Sequence, residues 1–236
     1  MNVISKTAYF GKDLEDMAFA ENYHRWVIER FKPYLGDATA EIGAGTGNFT
    51  SFLVNAKIKC IFAFEPSDNI YPLLKNKFQE KKEVVTINAF LREKYQEFLE
   101  FFDSVLYINV LEHIESDQEE LRFAYETIKK NGFILIFAPA LPWLYSTFDK
   151  KIGHFRRYSQ KRLVEIVKKS GFLIEDIRYF DIVGAILWYI VFVLFNKTTK
   201  NNVYLYDKFI VPSMRFFENI IKPPIGKNLL LVGKKI

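Results

Sequence analysis

The chain has 236 residues, half of them apolar, enough to bury a full globular core with additions around it. Its single cysteine, Cys60, excludes an internal disulfide, and the opening run MNVISKTAYFGKD lacks the apolar centre of a secretion signal, so a reducing, cytoplasmic location is expected. Thirty-three basic against 28 acidic residues leave a net charge of +5, too mild an excess to mark a nucleic-acid binder by itself.

In chain order, Met17, Ala20, Tyr23, Val27 and Phe31 are spaced as one face of a leading helix. Ala38–Ile42 is a short apolar strand that runs into AEIGAGTGNFT, with glycines at 43, 45 and 47. Lys59–Phe64 predicts a second strand, ended by Glu65-Pro66, and Pro72 sets the start of the next helix near Tyr71. Val84–Asn88 and Ser104–Asn109 predict the third and fourth strands. Leu121, Ala124, Tyr125 and Ile128 then form a helix face, with Asp117 and Glu120 spaced as a capping box and Gly132 just past the end. Phe133–Ala138 is the fifth strand. Ser159 is placed to cap a helix carrying Leu163, Val164 and Val167, closed by Gly171.

Strands alternating with helices predict an α/β fold, a Rossmann-like open sheet that is mostly parallel with helices on both faces. No repeat or flexible linker divides the chain, so one domain is expected. Its parts are an N-terminal helical segment (1–37), a core (38–140), a segment above the sheet (141–160), an apolar helical insertion (181–224) and a last strand (225–236).

In an open α/β sheet the ligand sits beyond the carboxyl ends of the strands. An ordinary strand-to-helix turn there needs one glycine; three in alternation point to a ligand close to the backbone. The dinucleotide fingerprint G-x-G-x-x-G would want glycine at Asn48. Glu65, twenty residues after Gly45, is positioned to accept both ribose hydroxyls of an adenosine. Loop and acid fit an adenosyl ligand without separating NAD from S-adenosylmethionine.

The ordered segments EIGAGTGNFT, FEPS, FDSVLYINVLEHIES and NGFILIFAPA resemble the motifs of class I S-adenosylmethionine-dependent methyltransferases, over about residues 38–140. VLEHI after the fourth strand is typical of the small-molecule branch. PALPWLYSTFDKKIGHFRRYS and PPIGKNLLLVGKKI resemble a bacterial subgroup often associated with glycosyltransferases of lipid-linked glycans. The resemblance implies seven strands, with an antiparallel last one at Asn228–Gly233. It also implies S-adenosyl-L-methionine as cofactor, with Glu41, Gly43, Ala44, Gly45, Gly47 and Asn48 along its methionine part and Glu65 with Pro66 at the ribose. Asn88 and Ala89 would lie at the adenine, where Asp is commoner than Asn88, and Asn109 beside the sulfonium.

Pro139–Tyr158 follows the fifth strand and so hangs over the reactive end. Arg156 and Arg157, with Trp143, make a grip for an anionic acceptor, since guanidinium pairs bidentately with carboxylate or phosphate. His154 is the candidate base, with Tyr145, Asp149 and Tyr158 behind it. Glu112 and His113 read as a helix-entry pair held by hydrogen bonds. The three histidines (24, 113 and 154) are far apart without ligand-like spacing, so no metal is expected and methyl transfer to a small-molecule or lipid-linked acceptor runs in line without one.

Ile182–Phe195, IVGAILWYIVFVLF, is fourteen residues long, short of the roughly twenty a spanning helix needs. It suits a buried helix, a dimer interface or, with Lys197, Lys200, Tyr204, Tyr206, Phe209, Phe216 and Phe217, a peripheral contact at the inner membrane face. Two competing functions share parts of the pattern. An NAD-linked oxidoreductase lacks support from Asn48 and VLEHI, and a nucleic-acid methyltransferase lacks an Asn-Pro-Pro-aromatic signature, the chain reading Asn109-Val110-Leu111-Glu112.

Overall fold

The computed structural model describes residues 20–190 and 204–236. Met17, Lys197, Lys200 and residues 191–195 of the apolar run lie outside them.

A helix, α1 (Glu21–Phe31), precedes a seven-stranded sheet. The strands are β1 (Ala38–Ile42), β2 (Cys60–Phe64), β3 (Val84–Ile87), β4 (Phe102–Ile108), β5 (Ile128–Pro139), β6 (Leu173–Phe180) and β7 (Asn228–Lys234). Their order is β3-β2-β1-β4-β5-β7-β6. The first five pair in parallel, whereas β7 lies between β5 and β6 and is antiparallel to both. The connecting helices are α2 (Asn48–Asn55), α3 (Tyr71–Phe78), α4 (Leu91–Lys94), α5 (Asp117–Thr127), α6 (Thr147–Lys151), α7 (Gln160–Lys169), α8 (Ile182–Trp188) and α9 (Val211–Ile220).

Alternation along the central strands explains the two-sided core. Tyr107 and Ile136 face one side, where α5 brings Leu121 and Ala124 and α7 brings Leu163 and Val167. Leu106, Leu135 and Phe137 face the other, against Trp26, Val27 and Phe31 of α1 and Leu53 of α2. Both faces are dry, as a parallel sheet requires.

Three local expectations need correction. Ile128 does not extend the helix face; it opens β5, opposite Phe102, and the helix stops at Thr127. Gly132 is not a helix cap but a strand glycine, whose Cβ would sit 2.8 Å from the Asp103 carbonyl oxygen. Asp117 and Glu120 form no capping box: Glu120 accepts from the Tyr107 hydroxyl (3.0 Å), and Asp117 is taken by side chains from the segment after β5. The Ser159 cap does form, its Oγ accepting from the Arg162 N–H at 3.2 Å.

Candidate active site

The carboxyl ends of β1, β2 and β4 converge on the glycine loop. Gly43, Gly45 and Gly47 all have positive φ (+69°, +58° and +77°), so the loop needs residues without a Cβ penalty at these turns. Two of the three also answer to the chain's own side chains. A Cβ at Gly43 would meet Val110 Cγ2 at 2.7 Å, and one at Gly47 would meet Phe78 Cε2 at 2.3 Å. The alternate glycines thus serve packing as much as ligand approach.

Glu65 clamps this loop. Its carboxylate accepts from the Gly45 N–H and the Ser67 N–H, each at 2.8 Å, and its own carbonyl accepts from the Asn88 side chain at 3.1 Å. Ala89 is buried next to Asn88. Glu41, at the inner end of β1, is buried and accepts from the Thr50 hydroxyl at 2.6 Å. Burial pushes its carboxyl up to about 8, against the pull of the Thr50 hydrogen bond and of Lys77. The Lys77 ammonium in turn donates to the Gly47 carbonyl (2.9 Å) and to Asn48 (3.4 Å). Asn109 closes β4 with φ +52° and accepts from the Asn228 amide at 3.2 Å, so β7 reaches the same end of the sheet. Thr50 and Lys77 were not singled out from sequence, because their roles arise only where α2 and α3 pack beside the loop.

These residues fit an adenosyl group. A carboxylate offers about four lone-pair positions. Glu65 has given two to its own loop, which fixes it and leaves acceptor capacity for a ribose diol. A buried acid at Glu41 suits a positively charged ligand, whose arrival would favour the carboxylate.

After β5, residues 141–158 fold back over the end of β4. Tyr158 is buried and shares its hydroxyl between the Leu111 carbonyl and Asp117, both at 3.1 Å. Arg156 pairs with Asp117 at 2.8 Å and donates to the carbonyls of Ile114 and Glu115. Arg157 is buried, its Nε donating to Asp149 at 2.8 Å while the guanidinium lies over Trp188 at 4.4 Å. Both arginines therefore have internal partners. Trp143 is 58% exposed and packs edge-on against Tyr189.

The residues around His154 form the most polar knot. Asp149 Oδ1 is 2.9 Å from His154 Nδ1, while its Oδ2 accepts from the N–H and hydroxyl of Ser146, both at 2.9 Å. Burial opposes ionisation of Asp149, yet His154 and Arg157 hold its carboxyl below the usual range. The Tyr145 hydroxyl donates to the His154 carbonyl at 2.7 Å. On the other side of the ring, His154 Nε2 faces Glu112 Oε1 at 3.7 Å. Glu112 is fully buried, and neither of its oxygens finds a hydrogen-bond partner among the described residues. Its carboxyl is pushed up to about 7 by burial, against the pull of His154. The His113 ring stands edge-on to His154, centroids 4.6 Å apart, and burial together with that neighbour lowers it to about 4.

Two sequence expectations change here. The Glu112 carboxyl is not held by hydrogen bonds among the described residues, and separation along the chain does not keep His113 from His154. The turn at Leu111–His113 and the segment ending at Gly153–Phe155 are joined by a hydrogen bond from the Phe155 N–H to the Glu112 carbonyl, 2.9 Å. His24, by contrast, is buried among Phe49 and Phe52, away from this site.

Comparison with known proteins agrees with this geometry. The family model described as "Methyltransferase domain" matches residues 35–177. A Thermotoga maritima S-adenosylmethionine-dependent methyltransferase, described as a possible histamine N-methyltransferase, superposes with a TM-score of 0.64 at 18% identity, covering 95% of each chain. An Archaeoglobus fulgidus S-adenosylmethionine-dependent methyltransferase gives 0.61 at 16%, over 94% of this chain and 99% of its own. The Haemonchus contortus phosphoethanolamine N-methyltransferase 2, solved with phosphomonomethylethanolamine and S-adenosylhomocysteine, gives 0.62 at 16%, over 95% of this chain and 57% of its own. A search of curated protein sequences found no match. With the matched model spanning most of the sheet and the loop–acid pair in place, the chain belongs to the methyltransferase-domain family and is a class I S-adenosylmethionine-dependent methyltransferase.

Proposed function

We propose that the enzyme methylates a lipid-linked or otherwise largely apolar small acceptor. The observation that carries this reading is the junction between α8 and the segment after β5. Trp188 packs against Phe148, with ring centroids 5.6 Å apart, and Tyr189 packs against Trp143 at 5.9 Å. The post-β5 segment is thus continuous with a surface where Ile186, Leu187, Tyr189 and Ile190 are exposed. An acceptor with an apolar tail could lie along those rings while its head reaches the end of β4.

The cofactor supplies an electrophilic methyl group on a sulfonium. Glu41, the glycine loop and Asn48 hold its methionine part, Glu65 with Pro66 the ribose, Asn88 and Ala89 the adenine, and Asn109 borders the sulfonium. The protein's remaining task is to align the nucleophile and exclude water. His154, its ring fixed by Asp149 and its carbonyl by Tyr145, is the candidate base, with Nε2 held toward the Glu112 carboxyl. Tyr158 and Arg156 brace the turn that carries Glu112 and His113. Arg157, buried and paired with Asp149, ties the segment after β5 to the Trp188 ring.

The test uses methyl-labelled cofactor with a total lipid extract and, separately, with the aqueous metabolite pool of the same cells. Label should enter the organic phase. Trp143→Ala, at an exposed ring, should lower kcat/KM for that acceptor at least tenfold and leave the cofactor Kd within twofold. Label found only in water-soluble products would overturn the acceptor class.

A further inference from the structure

We propose that Glu112, His113 and His154 form a binding site for one divalent transition-metal ion, open on the side from which the acceptor arrives. The proposal rests on the reading that the acceptor head reaches the end of β4.

One donor atom from each of the three side chains lies within 4.8 Å of the others, so a small inward adjustment brings all three onto a common centre. The gap between His154 Nε2 and Glu112 Oε1, 3.7 Å, is too wide for a hydrogen bond. It is shorter than two metal–ligand bonds of about 2.0–2.2 Å laid end to end.

Electron pairs make the case more specific. The Asp149 carboxylate faces His154 Nδ1 at 2.9 Å, so that nitrogen carries the proton and donates. Nε2 is then left with a lone pair, aimed at a carboxyl group whose two oxygens have no hydrogen-bond partner among the described residues. Two acceptors face each other in a buried space, and a cation between them would satisfy both. The Asp149–His154 contact is also the arrangement by which a carboxylate orients a metal-bound imidazole, and Arg157 and Ser146 hold Asp149 in turn.

Two imidazole nitrogens and one carboxylate suit Zn²⁺, Mn²⁺ or a neighbouring first-row ion better than Mg²⁺ or Ca²⁺, which prefer all-oxygen surroundings. Three protein ligands leave a fourth position, as catalytic rather than structural sites do. An ion there would stand between Nε2 and the acceptor and bind an oxygen of that acceptor; the oxygen would lose its proton to water, form the new bond to the methyl carbon as the S–CH3 bond breaks, and leave S-adenosylhomocysteine.

The full chain, stripped with chelator and desalted, should be titrated with ZnCl₂ and with MnCl₂ by calorimetry, and the metal content measured after gel filtration. About one ion per chain is expected, with at least a tenfold loss of affinity in Glu112→Gln and in His113→Ala. S-adenosylhomocysteine affinity should stay within twofold in each, which verifies the fold independently of the ion. Should a variant fail to fold, the unaltered protein decides: its melting temperature should rise with the added ion and fall back with chelator. Substoichiometric metal, no thermal shift, or unchanged affinity in folded variants would overturn the proposal. No ion bound by the unaltered protein, with lipid labelling intact, would refute only this inference; ion binding without any lipid product would refute only the acceptor class.

Discussion

A carboxyl group with one hydroxyl to lean on and no water around it gives up its proton late, and Glu41 is such a group, pushed up to about 8 by burial. Its folded-state value lies above the ordinary 4.5, so the folded chain binds the proton more tightly than the unfolded one. Its contribution to stability is full below about 4.5 and is lost as pH rises toward about 8. A cationic cofactor would favour the carboxylate, so binding below pH 8 should release a proton and the affinity should climb with pH before levelling off. Calorimetry at pH 7 in two buffers of different ionisation enthalpy measures that proton. Glu41→Gln should abolish both the release and the slope; an unchanged slope would remove Glu41 from the cofactor's methionine end. At this scale the sequence was readable where geometry follows from position in one βαβ unit, as with Gly45 and Glu65, which the fold brings into one hydrogen bond. It was unreadable at Glu112, because His154 and Asp149, which give that residue its meaning, come from a segment beyond the next strand.

Individual elements follow the same division. Five strands could be read from apolar runs and their punctuation, the last strand came only from the family resemblance, and β6, where charged residues interrupt the apolar ones, was not anticipated. Pro72 did fix the start of α3 at Tyr71. Ile128 misled because its spacing satisfies a helix face while pairing with Phe102 claims it for β5. The helix α9 breaks the periodic pattern outright. Phe216 and Phe217 point outward, while Glu218 is turned inward to accept from the N–H groups of Asp181 and Ile182 at 3.1 and 3.0 Å. A polar residue there serves the start of α8, a demand visible only in three dimensions. The turn from β1 into α2 offers a direct test. Gly47→Ala would put a Cβ 2.3 Å from Phe78 and strain a φ of +77°. We expect a loss of about 1–3 kcal/mol in chemical denaturation. Adding Phe78→Leu should recover only the steric share; a neutral Gly47→Ala would mean that α3 is free to shift.

The whole molecule carries a net charge of +5 and an apolar surface in its last third, including Phe209, Phe216, Phe217, Ile220 and Ile221. Among the described residues no helix is long and apolar enough to cross a membrane. Such a surface instead suits a bilayer face. In flotation assays the protein should associate with phosphatidylglycerol vesicles, more weakly as salt rises. Phe216→Ser with Phe217→Ser should reduce association at least fivefold and leave the melting temperature nearly unchanged, since both rings are already exposed. Equal binding by the double variant would rule this face out as the contact.

The position of β7 also sets a timetable. It is the strand that joins β6 to β5, pairing with both along its length, and its Asn228 reaches Asn109 at the end of β4. During synthesis β1 to β5 can pair as they emerge from the ribosome, but β6 must wait with its edge unmatched until Asn228–Lys234 is released. The methyltransferase site is therefore among the last parts of the domain to be completed. A nascent chain that has made every glycine of the loop after β1 still lacks the strand that meets Asn109 at the end of β4.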